Sequence, residues 1–343
     1  MPEPVLSIKD LVVEFDTEDG VVHAVDGVSY DVFPGETLGV VGESGSGKSV
    51  TVMSVLGLIP VPPGRIVSGT ATFKGQDLLR SPKETLRRIR GKEIAMVFQD
   101  PMTSLNPVFT VGDQLGEAVK THDPSIDDAA ARNQAIELLE LVGVPHAERR
   151  VDQYPHEYSG GMRQRAMIAM AIANRPAVLI ADEPTTALDV TIQAQILEVL
   201  RTAQEETHAA TILITHDLGL IAEMASRVVV MYAGHVVEVG DVETIFHAPR
   251  MPYTLGLMNS LPRLEADERR LKPIPGQPPS LLNVPPGCPF HPRCELRQGR
   301  DLCVQQIPQL EAVDQPEHLA ACHFKHELRG ETTKFVDEEE AVS

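Results

Sequence analysis

Between Gly42 and Ser49 the chain reads GESGSGKS, a match to G-x-x-x-x-G-K-[ST] directly behind the apolar run ETLGVV. Residue types at this spacing suit a polyphosphate. Glycines let backbone N–H groups turn towards phosphate oxygens, and the N-terminus of a following helix adds positive potential. Gly42, Ser44, Gly45, Ser46 and Gly47 line such a loop, with Thr51 just inside the helix. Lys48 reaches β- and γ-phosphates, and the Ser49 hydroxyl joins a Mg²⁺ shell. An acidic pair, Asp182 and Glu183, closes the apolar run VLIAD. The first carboxylate can hold Mg²⁺, directly or through water, and the second can orient or deprotonate an attacking water. Gln99 follows AMVF and His216 follows ILIT. Polar side chains at the carboxyl ends of parallel strands stand where ligands bind, although a lone Gln or His is as often structural.

Two further groups invite a chemical reading. Ser159, Gly160 and Gly161 precede a basic segment and, taken alone, form a Ser-capped helix entry. The four cysteines, Cys288, Cys294, Cys303 and Cys322, are spaced C-x5-C-x8-C-x18-C. Clustering of this kind suggests a metal before disulfides. The tight C-x2-C pairs of zinc ribbons and ferredoxins are missing, so spacing alone leaves iron–sulfur, zinc and metal-free thiols open.

These residues need elements to hold them. VLSIKDLVVEF (5–15) and VHAVDGVSYDV (22–32) read as strands of an antiparallel layer. ETLGVVG, IAMVF, AVLIADE and TILITHD read as buried strands separated by helices, which implies a mainly parallel sheet covered on both faces. RVVVMYAGHVVEVGD reads as a hairpin turning at Ala233-Gly234, and helical patterns dominate from about 100 to 175. Beyond about residue 258 the chain turns Pro-rich and short of periodicity, so something other than a large core of its own must order it. The expected organisation is a nucleotide-binding, phosphate-loop domain over 1–258 with a helical subdomain over about 100–175, a Cys-bearing C-terminal domain over 259–327, and a solvated acidic tail over 328–343.

Of the 343 residues 42% are apolar and only 4% aromatic, a globular composition. The formal net charge of -19 weighs against nucleic-acid binding, which depends on neutralising phosphates. No apolar run is long enough to span a bilayer and the start shows no signal peptide, so a cytosolic location is expected.

Taken in order, GESGSGKS, Gln99, YSGGMRQ, VLIADEP, ALD and THD resemble the ATP-binding cassette (ABC) ATPases over roughly residues 5–258. The resemblance implies an α/β phosphate-loop NTPase fold with a RecA-like core sheet, an antiparallel β layer and a helical subdomain. It also implies two cassettes head to tail, each ATP lying between one subunit's phosphate loop and the other's Ser159-Gly160-Gly161 turn. Carried over by position, Glu183 is the general base, Asp182 assists the metal and Gln99 touches Mg²⁺ and the attacking water. His216 binds the γ-phosphate, Asp189 lies at the subunit contact, and Phe15 stacks on adenine, with Tyr30 and Phe33 as weaker choices. Tyr158 stands where the family commonly has Leu. The stretches FQDPMTSLNP, MYAGHVVEVG, MPYTLGLMNSLPR and PIPGQPPSLLNVPPGCPFHPRC narrow the likeness to dipeptide, oligopeptide and nickel importer ATPase subunits, extending it over 5–325. That subfamily implies a [4Fe-4S] cluster on the four cysteines, with zinc as the alternative. It further implies a second homologous ATPase subunit, two permease subunits, an extracytoplasmic peptide-binding protein, and a place at the cytoplasmic face of the membrane.

Overall fold

Two sheets carry the molecule. The computed structural model describes residues 3–100, 104–186, 189–260, 274–297 and 299–328. The strands are β1 (Leu6–Thr17), β2 (Gly20–Val32), β3 (Thr37–Val41), β4 (Gly64–Phe73), β5 (Gln76–Asp77), β6 (Ile94–Val97), β7 (Val178–Asp182), β8 (Ala210–Thr215), β9 (Arg227–Tyr232), β10 (His235–Asp241), β11 (Glu311–Ala312) and β12 (Leu319–Ala320). An antiparallel sheet runs β2-β1-β4-β5, and a larger sheet runs β11-β12-β10-β9-β3-β8-β7-β6.

In the larger sheet β9, β3, β8, β7 and β6 are parallel. β3, β7 and β8 are buried at every position, as expected of strands covered on both faces. Helices over Lys48–Val55, Val190–Thr207 and Leu218–Met224 connect the strands. Crossovers of this kind leave the carboxyl ends of β3, β7 and β8 at one edge, the place where open α/β sheets bind ligands. The β9–β10 hairpin turns through Ala233 and Gly234, whose φ values of 47° and 83° are those of the mirror-image turns that match strand twist.

β4 is a strand that no apolar alternation in the sequence announces. The segment is a ten-residue strand paired with β1. Gly64, Ser68 and Gly69 interrupt its apolar alternation, and its register against β1 shifts between Lys9 and Val13. Helices over Val111–Lys120, Asp128–Leu141 and Gly160–Ile172 carry side-chain caps from Thr110, Asp127 and Ser159. Leu115, Leu139 and Ile168 join them to the same apolar core as β7 and β8.

The Pro-rich C-terminal stretch does not stand apart. β12 pairs with β10 and extends the main sheet, while Cys288 and Phe290 are buried in the main core. What orders this stretch is, in large part, the core of the preceding chain. The acidic end expected to be solvated lies, beyond Leu328, outside the described residues.

Candidate functional site

The turn after β3 is built for close approach. Gly42 has φ 152°, and a Cβ there would meet the Met231 carbonyl oxygen at 2.1 Å. Gly47 has φ 99°, and a Cβ there would meet the Ala24 carbonyl oxygen at 2.5 Å. No other residue type fits at either place. Lys48 folds back over the loop, donating to the carbonyls of Gly42 at 2.8 Å and Glu43 at 3.0 Å and to Ser46 Oγ at 3.4 Å. Burial lowers its pKa, while the carboxylates of Glu183, Asp182 and Glu43 work in the opposite sense. An ammonium held this way, among carbonyls that a phosphate can replace, is poised for an anion. Thr51 Oγ1 donates to the Gly47 carbonyl at 2.9 Å and stays buried in the helix, and Ser44 and Gly45 remain on the open side of the loop.

The expected residues from distant segments converge. Ser49 Oγ donates to Asp182 Oδ1 at 2.8 Å, tying the loop helix to the end of β7. Asp182 is 6% exposed, and burial raises its pKa. Glu183 follows with φ 47°, a left-handed conformation uncommon for a non-glycine residue and typical of functional turns. Its N–H donates to the Ile214 carbonyl at 2.8 Å. Its Oε2 accepts from Gln99 Nε2 at 2.9 Å and Thr186 Oγ1 at 2.8 Å, and His216 Nδ1 lies 3.6 Å from Oε1. Thr186 escaped the sequence reading, because a threonine three residues beyond an acidic pair carries no signal of its own. These groups together can bind a phosphate chain, hold a divalent ion beside it and poise a water under one carboxylate.

The remaining residues lie elsewhere. Ser159 and Gly160 are exposed at the start of the helix Gly160–Ile172, where Ser159 Oγ accepts from Met162 N at 3.3 Å. Gly161 has a packing reason as well, since a Cβ there would meet Ile192 Cγ2 at 2.9 Å. Tyr158 is buried and donates to the Arg150 carbonyl at 2.9 Å, a bond that Leu could not make. Asp189 caps the helix Val190–Thr207 through Ile192 N at 3.0 Å. Phe15 sits in β1 across from Val22 and Gly64 with its ring against Gly64. Tyr30 is buried in the core, and Phe33 lies under the Arg227 guanidinium.

The four cysteines are free thiols lining one small cavity. Burial pushes the Cys288 thiol up to about 12 and the Cys322 thiol up to about 11, so a metal ion would have to displace their protons. Among the described residues no three His, Cys, Asp or Glu side chains come together closely enough to hold a metal ion. The four thiols therefore share a cavity without forming an assembled ligand set. Two features nevertheless suit a cluster of net negative charge: Arg297 Nε and Arg300 Nη1 are buried without a hydrogen-bond partner, and Arg297 lines the same cavity.

A phosphate-binding loop, a Mg²⁺-type carboxylate and a poised second carboxylate on a parallel sheet define a phosphate-loop nucleotide hydrolase. Residues 25–186 match the ABC transporter family, and residues 237–303 match the oligopeptide/dipeptide transporter C-terminal region. The dipeptide transport ATP-binding protein DppD of Bacillus subtilis is 54% identical over 86% of this chain and 88% of its own length. The protein of the same name from Escherichia coli is 49% identical over 96% of this chain and 99% of its own length. Among solved structures, a dimeric bacterial ABC transporter cassette, MJ0796, superposes with a TM-score of 0.62 at 25% identity, covering 69% of this chain and 98% of that one. The cassette cbiO1 of Clostridium perfringens gives 0.60 at 27% identity over 71% of this chain and 91% of that one. The chain belongs to the ABC transporter family, on its dipeptide/oligopeptide ATP-binding branch, and is an ATPase. Among the described residues no helix is long and apolar enough to cross a membrane.

Proposed function

We propose that this chain hydrolyses ATP to drive uptake of dipeptides or oligopeptides through two permease subunits, from the cytoplasmic face of the cell membrane. A second homologous cassette completes each ATP site, and an extracytoplasmic binding protein delivers the cargo. In this reading Glu183 is the general base, Asp182, Ser49 and Gln99 serve Mg²⁺, Lys48 and His216 hold the γ-phosphate, and Phe15 stacks on adenine. Ser159, Gly160 and Gly161 act on the partner's ATP, with Asp189 at the contact. The observation that carries it is the hold on Glu183 by Gln99 and Thr186, with His216 3.6 Å from the same carboxylate, beside the Ser49–Asp182 bond. The likeness to relatives named for dipeptide transport supports the cargo class, with nickel or another solute as the alternative. Exposed apolar side chains of Phe98, next to Gln99 in the chain, and of Val108 and Phe109 are of the kind a permease contact would cover.

Glu183→Gln is expected to keep ATP binding, to lower turnover by about 10²–10⁴-fold, and to trap an ATP-bound cassette dimer visible by size exclusion. Hydrolysis at the parent rate would remove Glu183 from the role of base.

A [4Fe-4S] cluster on Cys288, Cys294, Cys303 and Cys322 is part of the same proposal, supported by the shared cavity and the orphaned guanidinium donors. Anaerobically purified protein is expected to hold about four iron and four sulfide per chain. Stoichiometric zinc would favour the alternative ion, and a metal-free product would leave neither.

A further inference from the structure

Glu43, the second residue of the phosphate loop, is not turned towards a metal or towards Lys48. Its carboxylate accepts both terminal nitrogens of Arg293, at 2.7 and 3.0 Å, a fork-to-fork pair. Arg293 is itself fixed on its other sides: Nε donates to the Pro275 carbonyl at 2.8 Å and Nη1 to Tyr232 Oη at 3.2 Å. Its side chain is 6% exposed. A second tie reaches the same loop residue, whose N–H donates to Tyr253 Oη at 2.8 Å. Phe290 packs edge-on against Tyr232 and lies 5.4 Å from the Tyr253 ring. Arg293 and Phe290 belong to the short segment between Cys288 and Cys294, so one turn of the C-terminal region grips the loop through charge and through two tyrosines. Glu43 and Arg293 also line the cavity that holds His216.

We infer that Arg293 is a positioning residue of the nucleotide site: it neutralises the Glu43 carboxylate and holds the start of the phosphate loop, so that the C-terminal region sets the affinity of the loop for ATP. The physical reason is sign. A bare carboxylate in a phosphate cradle repels the triphosphate, and a partly buried one left without its cation also loses the partner that offsets its desolvation. A pair this well satisfied removes both penalties and keeps the Glu43 carboxylate off the Lys48 ammonium. The inference rests on the ATP reading above and adds to it a residue 250 positions from the loop.

The test is equilibrium titration of Mg–ATP on the full chain, with KM and kcat measured in the assembled transporter. Arg293→Ala is expected to raise Kd and KM about tenfold, within the usual range of coupling between sites, while kcat changes less than about threefold. Arg293→Lys keeps the charge without the fork and is expected to lie between the two. The double variant Glu43→Gln with Arg293→Ala removes the bare carboxylate and is expected to recover most of the lost affinity, which a merely structural strut would not allow. If the alanine variant fails to fold, Arg293→Gln carries the same expectation. Parent-like Kd in a folded Arg293 variant, or a double variant no better than the single, would overturn the inference. Lys48→Ala separates the two levels: if it too binds ATP as the parent does, the nucleotide site itself is misassigned.

Discussion

Asp182 is the residue where burial and chemistry pull hardest against each other. Desolvation raises its carboxyl above the ordinary 3.8, Ser49 and Lys48 draw it back, and Glu183 pushes it up again. For folding alone, a carboxyl with a raised folded-state pKa stabilises below its unfolded value, and that contribution is lost as pH rises through the folded value. For ligand binding, on the proposal that Asp182 serves Mg²⁺, the order reverses, because a divalent ion needs the ionised form. Affinity for Mg–ATP should therefore fail on the acid side at a higher pH than a free aspartate would dictate. Titration from roughly pH 4 to pH 7, across the carboxylate range, should show that fall, and Asp182→Asn should bind about tenfold more weakly at neutral pH with the acid limb flattened. An unchanged acid limb in Asp182→Asn would mean that another group titrates. Lys48, Asp182 and Glu183 were legible in the sequence because contiguous residue types carry phosphate chemistry. Thr186, Glu43 and Arg293 were not, because their meaning lies in partners reached only through the fold.

At the scale of elements, the Ser159-Gly160-Gly161 turn has two physical duties that the linear motif does not separate. Ser159 caps the helix and leaves its N-terminus open to solvent, where an anion from another subunit can approach. Gly161 lets that helix lie against Val190–Thr207, with Ile192 in the space a side chain would take. Replacing a helical glycine by alanine gains about 0.5–1 kcal/mol, whereas forcing a methyl into a packed contact costs about 1–3 kcal/mol. The β-branched Ile192 cannot swing away freely, so the packing term should win. Gly161→Ala is expected to lower the melting temperature, and Ile192→Ala should cost less in the Gly161→Ala background than in the parent. A rise in the single variant would show that the two helices do not press on each other there. The helix start at Ser159 and the strands β3, β7 and β8 were readable from a cap and from apolar runs. β4 was not, because glycine and serine break its alternation and only its pairing with β1 makes it a strand.

Across the whole molecule, the C-terminal region and the nucleotide-binding sheet are joined by more than proximity. Glu238 of β10 is fully buried, accepting from the N–H groups of Arg250 and Met251 and facing His318 Nε2 at 2.8 Å. Next to that contact β12 adds itself to the sheet through Glu238 and Val239. A Pro-rich stretch without its own core is thus ordered by the pairing of β12 with β10, one buried polar cluster and the Arg293 grip, none visible in local composition. His318→Leu keeps the volume but strips Glu238 of its histidine partner. The loss should be about 1–3 kcal/mol, the penalty for a buried group left short of a bond. Glu238→Gln should cost less, because an amide in the same place still meets the histidine and loses little on burial. Limited proteolysis should then cut the C-terminal region of His318→Leu first while residues before β12 stay protected, and the order of melting should be parent, Glu238→Gln, His318→Leu. A His318→Leu chain as resistant as the parent would show that edge pairing alone carries the docking, and the buried cluster would lose its part in joining the two regions.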